Sequence, residues 1–117
     1  VSIRTERVAG EIKQSLARLF QEEFTELYTG LLTVTHVRIS PDLLNCKVYL
    51  SLLGSQKPKE YVVEEINTES KRIRMALARK LQLRNTPDLM FYLDDTLDEV
   101  ERIEDLFKKI HSQKDGD

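Results

Sequence analysis

The run Leu32-Thr33-Val34-Thr35-His36-Val37-Arg38-Ile39, the turn Ser40-Pro41-Asp42 and the run Asn45-Cys46-Lys47-Val48-Tyr49-Leu50-Ser51-Leu52 decide how this chain folds. In the second run Cys46, Val48, Leu50 and Leu52 alternate with Lys47, Tyr49 and Ser51, the period of a strand with one buried face. The first run is rich in branched residues, which suit a pleated surface, but its alternation slips. Leu32 and Val34 share one parity, Val37 and Ile39 the other. One extra residue near His36, a β-bulge, would return all four to the same face. Serine, proline and aspartate favour a turn, so the two runs form a hairpin.

Toward the N-terminus, Val8, Ile12, Leu16, Leu19, Phe20, Phe24 and Leu27 recur at steps of three and four. This spacing predicts a helix over 5–27 with one apolar stripe, Thr5 as its N-cap, and Gly30 releasing the chain into the hairpin. On the other side, 54–59 reads as a loop, and a helical pattern returns over 60–81 through Val62, Ile66, Ile73, Ala76, Leu77 and Leu81. It is interrupted by the polar run Asn67 to Lys71, in which the short side chains of Asn67, Thr68 and Ser70 compete for backbone hydrogen bonds, so two helices or one kinked helix are expected. Asn85-Thr86-Pro87 ends that segment, because the residue before proline is driven from the α region. A third strand follows over 88–93. Thr96 and Glu99 form a capping box for a last helix striped by Leu97, Val100, Ile103, Phe107 and Ile110.

The expected order, α-β-β-α-α-β-α, is an α+β domain with helices packed on a three-stranded mixed sheet. The crossover from the second strand to the third permits parallel pairing. One domain is expected over 1–111, with 112–117 as a polar, mobile tail. No apolar run reaches the ~18 residues of a membrane span and none resembles a signal sequence. A cytoplasmic protein with no membrane partner is therefore expected. The single cysteine, Cys46, has no partner for a bridge and reads as a small packed residue. No additional apolar stripe asks for a second subunit, so a monomer is expected.

The net charge of −2 conceals a segregation of charge. Between 71 and 84 stand Lys71, Arg72, Arg74, Arg79, Lys80 and Arg84 with no acid among them. Between 94 and 105 stand Asp94, Asp95, Asp98, Glu99, Glu101, Glu104 and Asp105 against Arg102 alone. Two fields of opposite sign allow a polyanion to meet one face only. The basic segment lacks acids at helical spacing to pair with it. The helix break just before it would offer unpaired N–H groups to a phosphate. Neutralising four to six phosphates would give a slope of log K against log salt of roughly −3 to −5. Arg4 and Arg7 could add to that surface.

Catalytic chemistry is not assembled. His36 and His111 have no cysteine or aspartate at ligand spacing, so no metal is expected. Asp94 and Asp95 could hold Mg²⁺, but they read better as anions preceding a helix N-terminus. A small hydrolase would have to depend on one of these two aspartates. The scattered glycines cannot form a phosphate-binding loop. The chain is expected not to be an enzyme and to need no cofactor.

Several segments resemble the ribosome-binding factor A family. They are Gly30-Leu31-Leu32-Thr33-Val34-Thr35-His36-Val37, Ser40-Pro41-Asp42-Leu43 and Lys47-Val48-Tyr49-Leu50-Ser51 in the hairpin. Beyond it come Leu81-Gln82-Leu83-Arg84-Asn85-Thr86-Pro87-Asp88-Leu89, then Phe91 and Asp94-Asp95, with Arg7-Val8-Ala9 and Arg102-Ile103 at the two ends. The resemblance covers about residues 4 to 107. It implies a KH-like domain of type II topology with an additional C-terminal helix. It also implies association with free 30S ribosomal subunits, help in late maturation and 16S rRNA processing near the 5′-terminal helix, growth in the cold, and no cofactor. KH domains usually clamp the nucleic-acid backbone with a GXXG loop. This family has instead an interhelical kink, commonly Ala-x-Gly, where this chain has Glu69-Ser70-Lys71. Before Gly30, Glu26-Leu27-Tyr28 stands where Asp-Pro-Arg is frequent, and Cys46 replaces a usual alanine.

The site expected from these readings is an RNA-binding face of Arg4, Arg7, Lys71, Arg72, Arg74, Arg79, Lys80 and Arg84. An alternative is a protein-interaction module whose acidic C-terminal helix docks a basic ribosomal or other protein.

Overall fold

A computed structural model of the chain describes residues 3–83 and 85–94. The expected C-terminal helix, its capping box, Asp95, His111 and the 112–117 tail lie outside these residues, as does Arg84. Helix α1 (Ile3–Glu22) leads through a 3₁₀ turn (Thr25–Leu27) to β1 (Leu31–Ile39) and β2 (Asn45–Leu53). Helices α2 (Lys59–Thr68) and α3 (Ser70–Lys80) carry the chain across to β3 (Asp88–Leu93). The sheet order is β1-β2-β3, with β1 antiparallel to β2 and β3 parallel to it. This is the mixed α+β arrangement expected from the order of elements.

The hairpin register explains the slipped alternation of β1. Val34 pairs with Leu50 and His36 with Tyr49, so Thr35 is the extra residue of a bulge. Leu32 and Val34 before it and Val37 after it are all buried as a result. The Thr35 hydroxyl donates to the Asp94 carboxylate at 2.5 Å, which ties the bulge to the end of β3. At the hairpin turn the Asn45 N–H donates to Ser40 Oγ and the Leu44 N–H to Asp42 Oδ1, both at 3.0 Å. The Ser40 hydroxyl and the Leu44 N–H hold the Asp42 carboxyl below its ordinary pKa.

Gly30 and Gly54 meet where β1 begins and β2 ends. Gly30 has φ +83°, and a Cβ there would stand 2.2 Å from the Leu53 carbonyl oxygen. Both the left-handed backbone and the close approach require glycine.

The helices cover one face of the sheet, with α1 on β1 and with α2 and α3 on β3. Ile12, Leu16, Leu19 and Phe20 of α1 meet Val48, Leu50, Ile66, Ile73, Leu77 and Phe91 in one core. The Phe20 and Phe91 rings pack edge to face at 5.8 Å, a geometry the ring quadrupoles favour. Cys46 is part of this core, and burial pushes its thiol up to about 12, which removes the thiolate that reactivity needs.

Helix α1 differs from expectation at both ends. It includes Ile3, so Thr5 is an interior residue and not the N-cap. It stops at Glu22, and the 3₁₀ turn then carries the last part of the apolar stripe. Phe24 is buried and Leu27 half-buried against the core. The Tyr28 hydroxyl donates to the Phe20 carbonyl at 2.8 Å and closes this segment onto α1.

The polar interruption between α2 and α3 is a single residue wide. Glu69 separates the helices with φ −98° and ψ 12°. Two residues earlier, Asn67 turns its carboxamide onto the edge of β3. Its Nδ2 donates to the Phe91 carbonyl at 2.9 Å, and its Oδ1 accepts the Phe91 N–H at 2.8 Å. One side chain thus satisfies both backbone groups of an edge-strand residue, as a neighbouring strand would. Asn67→Ala should cost about 1–3 kcal/mol, because it strands that pair without partners. Gly30→Ala should cost more than about 1 kcal/mol. Urea denaturation followed by circular dichroism measures both.

Candidate nucleic-acid interface

The described basic residues among those singled out in the sequence, Arg4, Arg7, Lys71, Arg72, Arg74, Arg79 and Lys80, are exposed, but they are not equivalent. Ile73, Ala76 and Leu77 anchor α3 in the core and turn its charges outward. Arg72 is engaged three times. Its Nη2 lies 2.8 Å from Glu26 Oε1, its Nε 3.2 Å from Glu69 Oε2, and its guanidinium 5.0 Å from the centroid of the Phe24 ring. The backbone N–H of Glu26 and the Arg72 guanidinium together hold the Glu26 carboxyl below its ordinary pKa. Arg72 is thereby a strap between α3 and the segment after α1.

Arg74 has a comparable structural duty. Its Nε and Nη2 donate to the Thr86 carbonyl at 3.0 and 2.8 Å, and its Nη1 lies 3.5 Å from Asp88 Oδ1. It fixes the turn into β3. Lys80 lies 3.5 Å from Glu22 Oε2 at the end of α1. The acids missing from 71–84 are thus supplied from Glu22, Glu26, Glu69 and Asp88.

Lys71 and Arg79 of α3, and Arg4 and Arg7 of α1, have no acidic partner among the described residues. Lys71 and Arg79 are eight positions apart, which spans about 12 Å along a helix. The start of α3 also departs from the expected open phosphate seat. The Glu69 carboxylate already stands beside it, where the helix dipole favours an anion.

One cationic pair escaped the sequence reading. Arg38 and Lys47 are cross-strand partners on the sheet face turned away from the helices. The alternation of β2 placed Lys47 beside Tyr49 on that face, but pairing it with Arg38 needed the bulged register. Among the described residues no three His, Cys, Asp or Glu side chains are grouped to hold a metal ion. No helix among them is long and apolar enough to cross a membrane.

The family model for ribosome-binding factor A matches residues 4–107. The chain belongs to the ribosome-binding factor A family. A relative of that name from Chlorobium phaeobacteroides is 36% identical over 117 residues, covering 98% of this chain and 100% of the relative. The crystal structure of ribosome-binding factor A from Thermus thermophilus is similar with a TM-score of 0.61 at 26% identity. That match covers 76% of this chain and 94% of the Thermus chain. Coordinates of the Thermus factor fitted into a cryo-electron microscopy map of its complex with the 30S subunit match at TM-score 0.59 and 28% identity, over 74% of this chain and 90% of that one.

Family membership does not make every base on α3 a ligand. Arg72→Ala should lower the urea midpoint and leave RNA affinity within about twofold, since its charge is already answered. Reversing Lys71 and Arg79 together should leave the midpoint unchanged and cut the salt slope of RNA binding by about 2, one for each lost phosphate contact. Anisotropy titrations across a salt series separate the two outcomes.

Proposed function

We propose that this chain is a maturation factor of the small ribosomal subunit that associates with free 30S particles and contacts 16S rRNA. The observation that carries the reading is the family match over 4–107. The Thermus relative fitted into a 30S complex supports the same partner. Of the expected RNA-binding set Arg4, Arg7, Lys71, Arg72, Arg74, Arg79, Lys80 and Arg84, Arg72, Arg74 and Lys80 are paired with acids. Lys71 and Arg79 are the strongest candidates on α3, because their charge is not spent on the fold. With Arg4 and Arg7 they would neutralise four phosphates, for a salt slope of roughly −3 to −4. No catalytic step and no cofactor are assigned.

Sucrose-gradient sedimentation of cell extract tests the proposal. The protein should travel with the free 30S fraction and be largely absent from 70S ribosomes. The Lys71→Glu/Arg79→Glu double variant should move mostly to the top of the gradient, with a roughly tenfold or larger loss of affinity. Sedimentation of both forms at the top, or of both with 30S, would contradict it.

A further inference from the structure

The described helices α1, α2 and α3 cover one side of the sheet, and the described residues on the other side have an ordered chemistry of their own. Arg38 and Lys47 are direct cross-strand partners, and Lys47 is in turn in register with Met90. Like charges directly opposite one another destabilise a strand pair. No described acid pairs with either, and the Arg38 Nε instead donates to His36 Nε2 at 3.2 Å. Two cations held side by side at such a cost suit an anionic partner.

The neighbouring row is aromatic. His36, Tyr49 and Tyr92 are in register across the three strands. The tyrosine rings stack at 5.6 Å with an interplanar angle of 28°, and His36 lies 6.0 Å from Tyr49. Met90, 54% exposed, extends the apolar surface beside Tyr92. Thr35, His36, Arg38, Tyr49 and Asp94 line an open polar cleft at the edge of this row. The Asp94 carboxylate there can accept from a 2′-hydroxyl or an exocyclic amino group, neither of which a phosphate offers.

A flat π surface, adjacent cations and a polar cleft are the parts with which open sheets take unpaired nucleotides. We propose that this outer sheet face binds a single-stranded RNA segment, with bases stacking on the Tyr49–Tyr92 row and phosphates meeting Arg38 and Lys47. The inference rests on the reading of the chain as an rRNA partner and adds a surface on the side of the sheet opposite α3. A folded duplex would not fit the same chemistry, because its bases are already stacked.

The test is fluorescence anisotropy of the full chain with a short labelled oligo(U), against a duplex RNA of equal length at low salt. Oligo(U) should bind more tightly than the duplex. Arg38→Ser/Lys47→Ser should weaken oligo(U) binding roughly tenfold, and Tyr92→Leu by about fivefold or more, the range of one lost base stack. Lys71→Glu/Arg79→Glu should change it less than about twofold. Amide shifts of labelled protein on titration should be largest in β2 and β3 near Tyr49 and Tyr92, a readout independent of variant stability. No oligo(U) binding by the unaltered chain, or losses confined to the α3 variant, would overturn the inference. Loss of 30S association with oligo(U) binding intact would remove the subunit assignment alone. The converse would remove the sheet-face site alone.

Discussion

Two hydrogen bonds between the Asn67 carboxamide and the Phe91 backbone join the helical crossover to the sheet. Phe91 belongs to both halves of the fold. Its ring is in the core against Phe20, and its backbone is on the open edge of β3. β3 is a parallel edge strand reached by a long crossover, and the Asn67 carboxamide caps the backbone of Phe91 on it. By clasping it from the last turn of α2, Asn67 fixes where that helix can end and therefore where α3 begins. The direction of every cation on α3 follows from that joint. The break at Glu69, with φ −98°, requires no glycine, and the Asn67 clasp lies just upstream of it.

The electrostatics divide in the same way. A net charge of −2 is unpromising for a protein that meets RNA, yet four of the acids are spent on bases of α3. Glu22, Glu26, Glu69 and Asp88 each answer a base of α3 that has structural work. Arg72 straps the 3₁₀ segment down, and Arg74 holds the turn before β3. Among the described residues, Lys71 and Arg79 of α3, Arg4 and Arg7 of α1, and Arg38 with Lys47 on the sheet are left unanswered by an acid and are charge available to a polyanion. These exposed pairs are screened by salt, so their effect should show in binding more than in stability.

The sequence disclosed most of the fold. The parity switch between Val34 and Val37 pointed to the bulge, and the crossover permitted the parallel pairing that β3 adopts. Local periodicity could not reveal that α1 stops at Glu22, because the 3₁₀ turn keeps Phe24 and Leu27 on the same apolar side. Nor did it show that Asn67, read as a helix breaker, has its partner 24 residues away. The candidate site was less legible for the same reason. Counting acids within 71–84 missed those brought in by the tertiary fold, so Arg72, Arg74 and Lys80 looked freer than they are. The Arg38–Lys47 pair was invisible until the bulge set its register. Family membership was legible from motif order along the chain, where individual contacts were not.

The central claim is that the cations left free on α3 face 16S rRNA. Photo-cross-linking amino acids placed separately at Lys71 and Arg79 in the full chain, bound to immature small subunits, test it directly. Glu64 on the acidic exposed side of α2 serves as the control position. Both α3 positions should cross-link to neighbouring nucleotides of 16S rRNA, and Glu64 should give few cross-links. Cross-links from Lys71 and Arg79 to ribosomal proteins alone, with rRNA reached from Glu64, would contradict it.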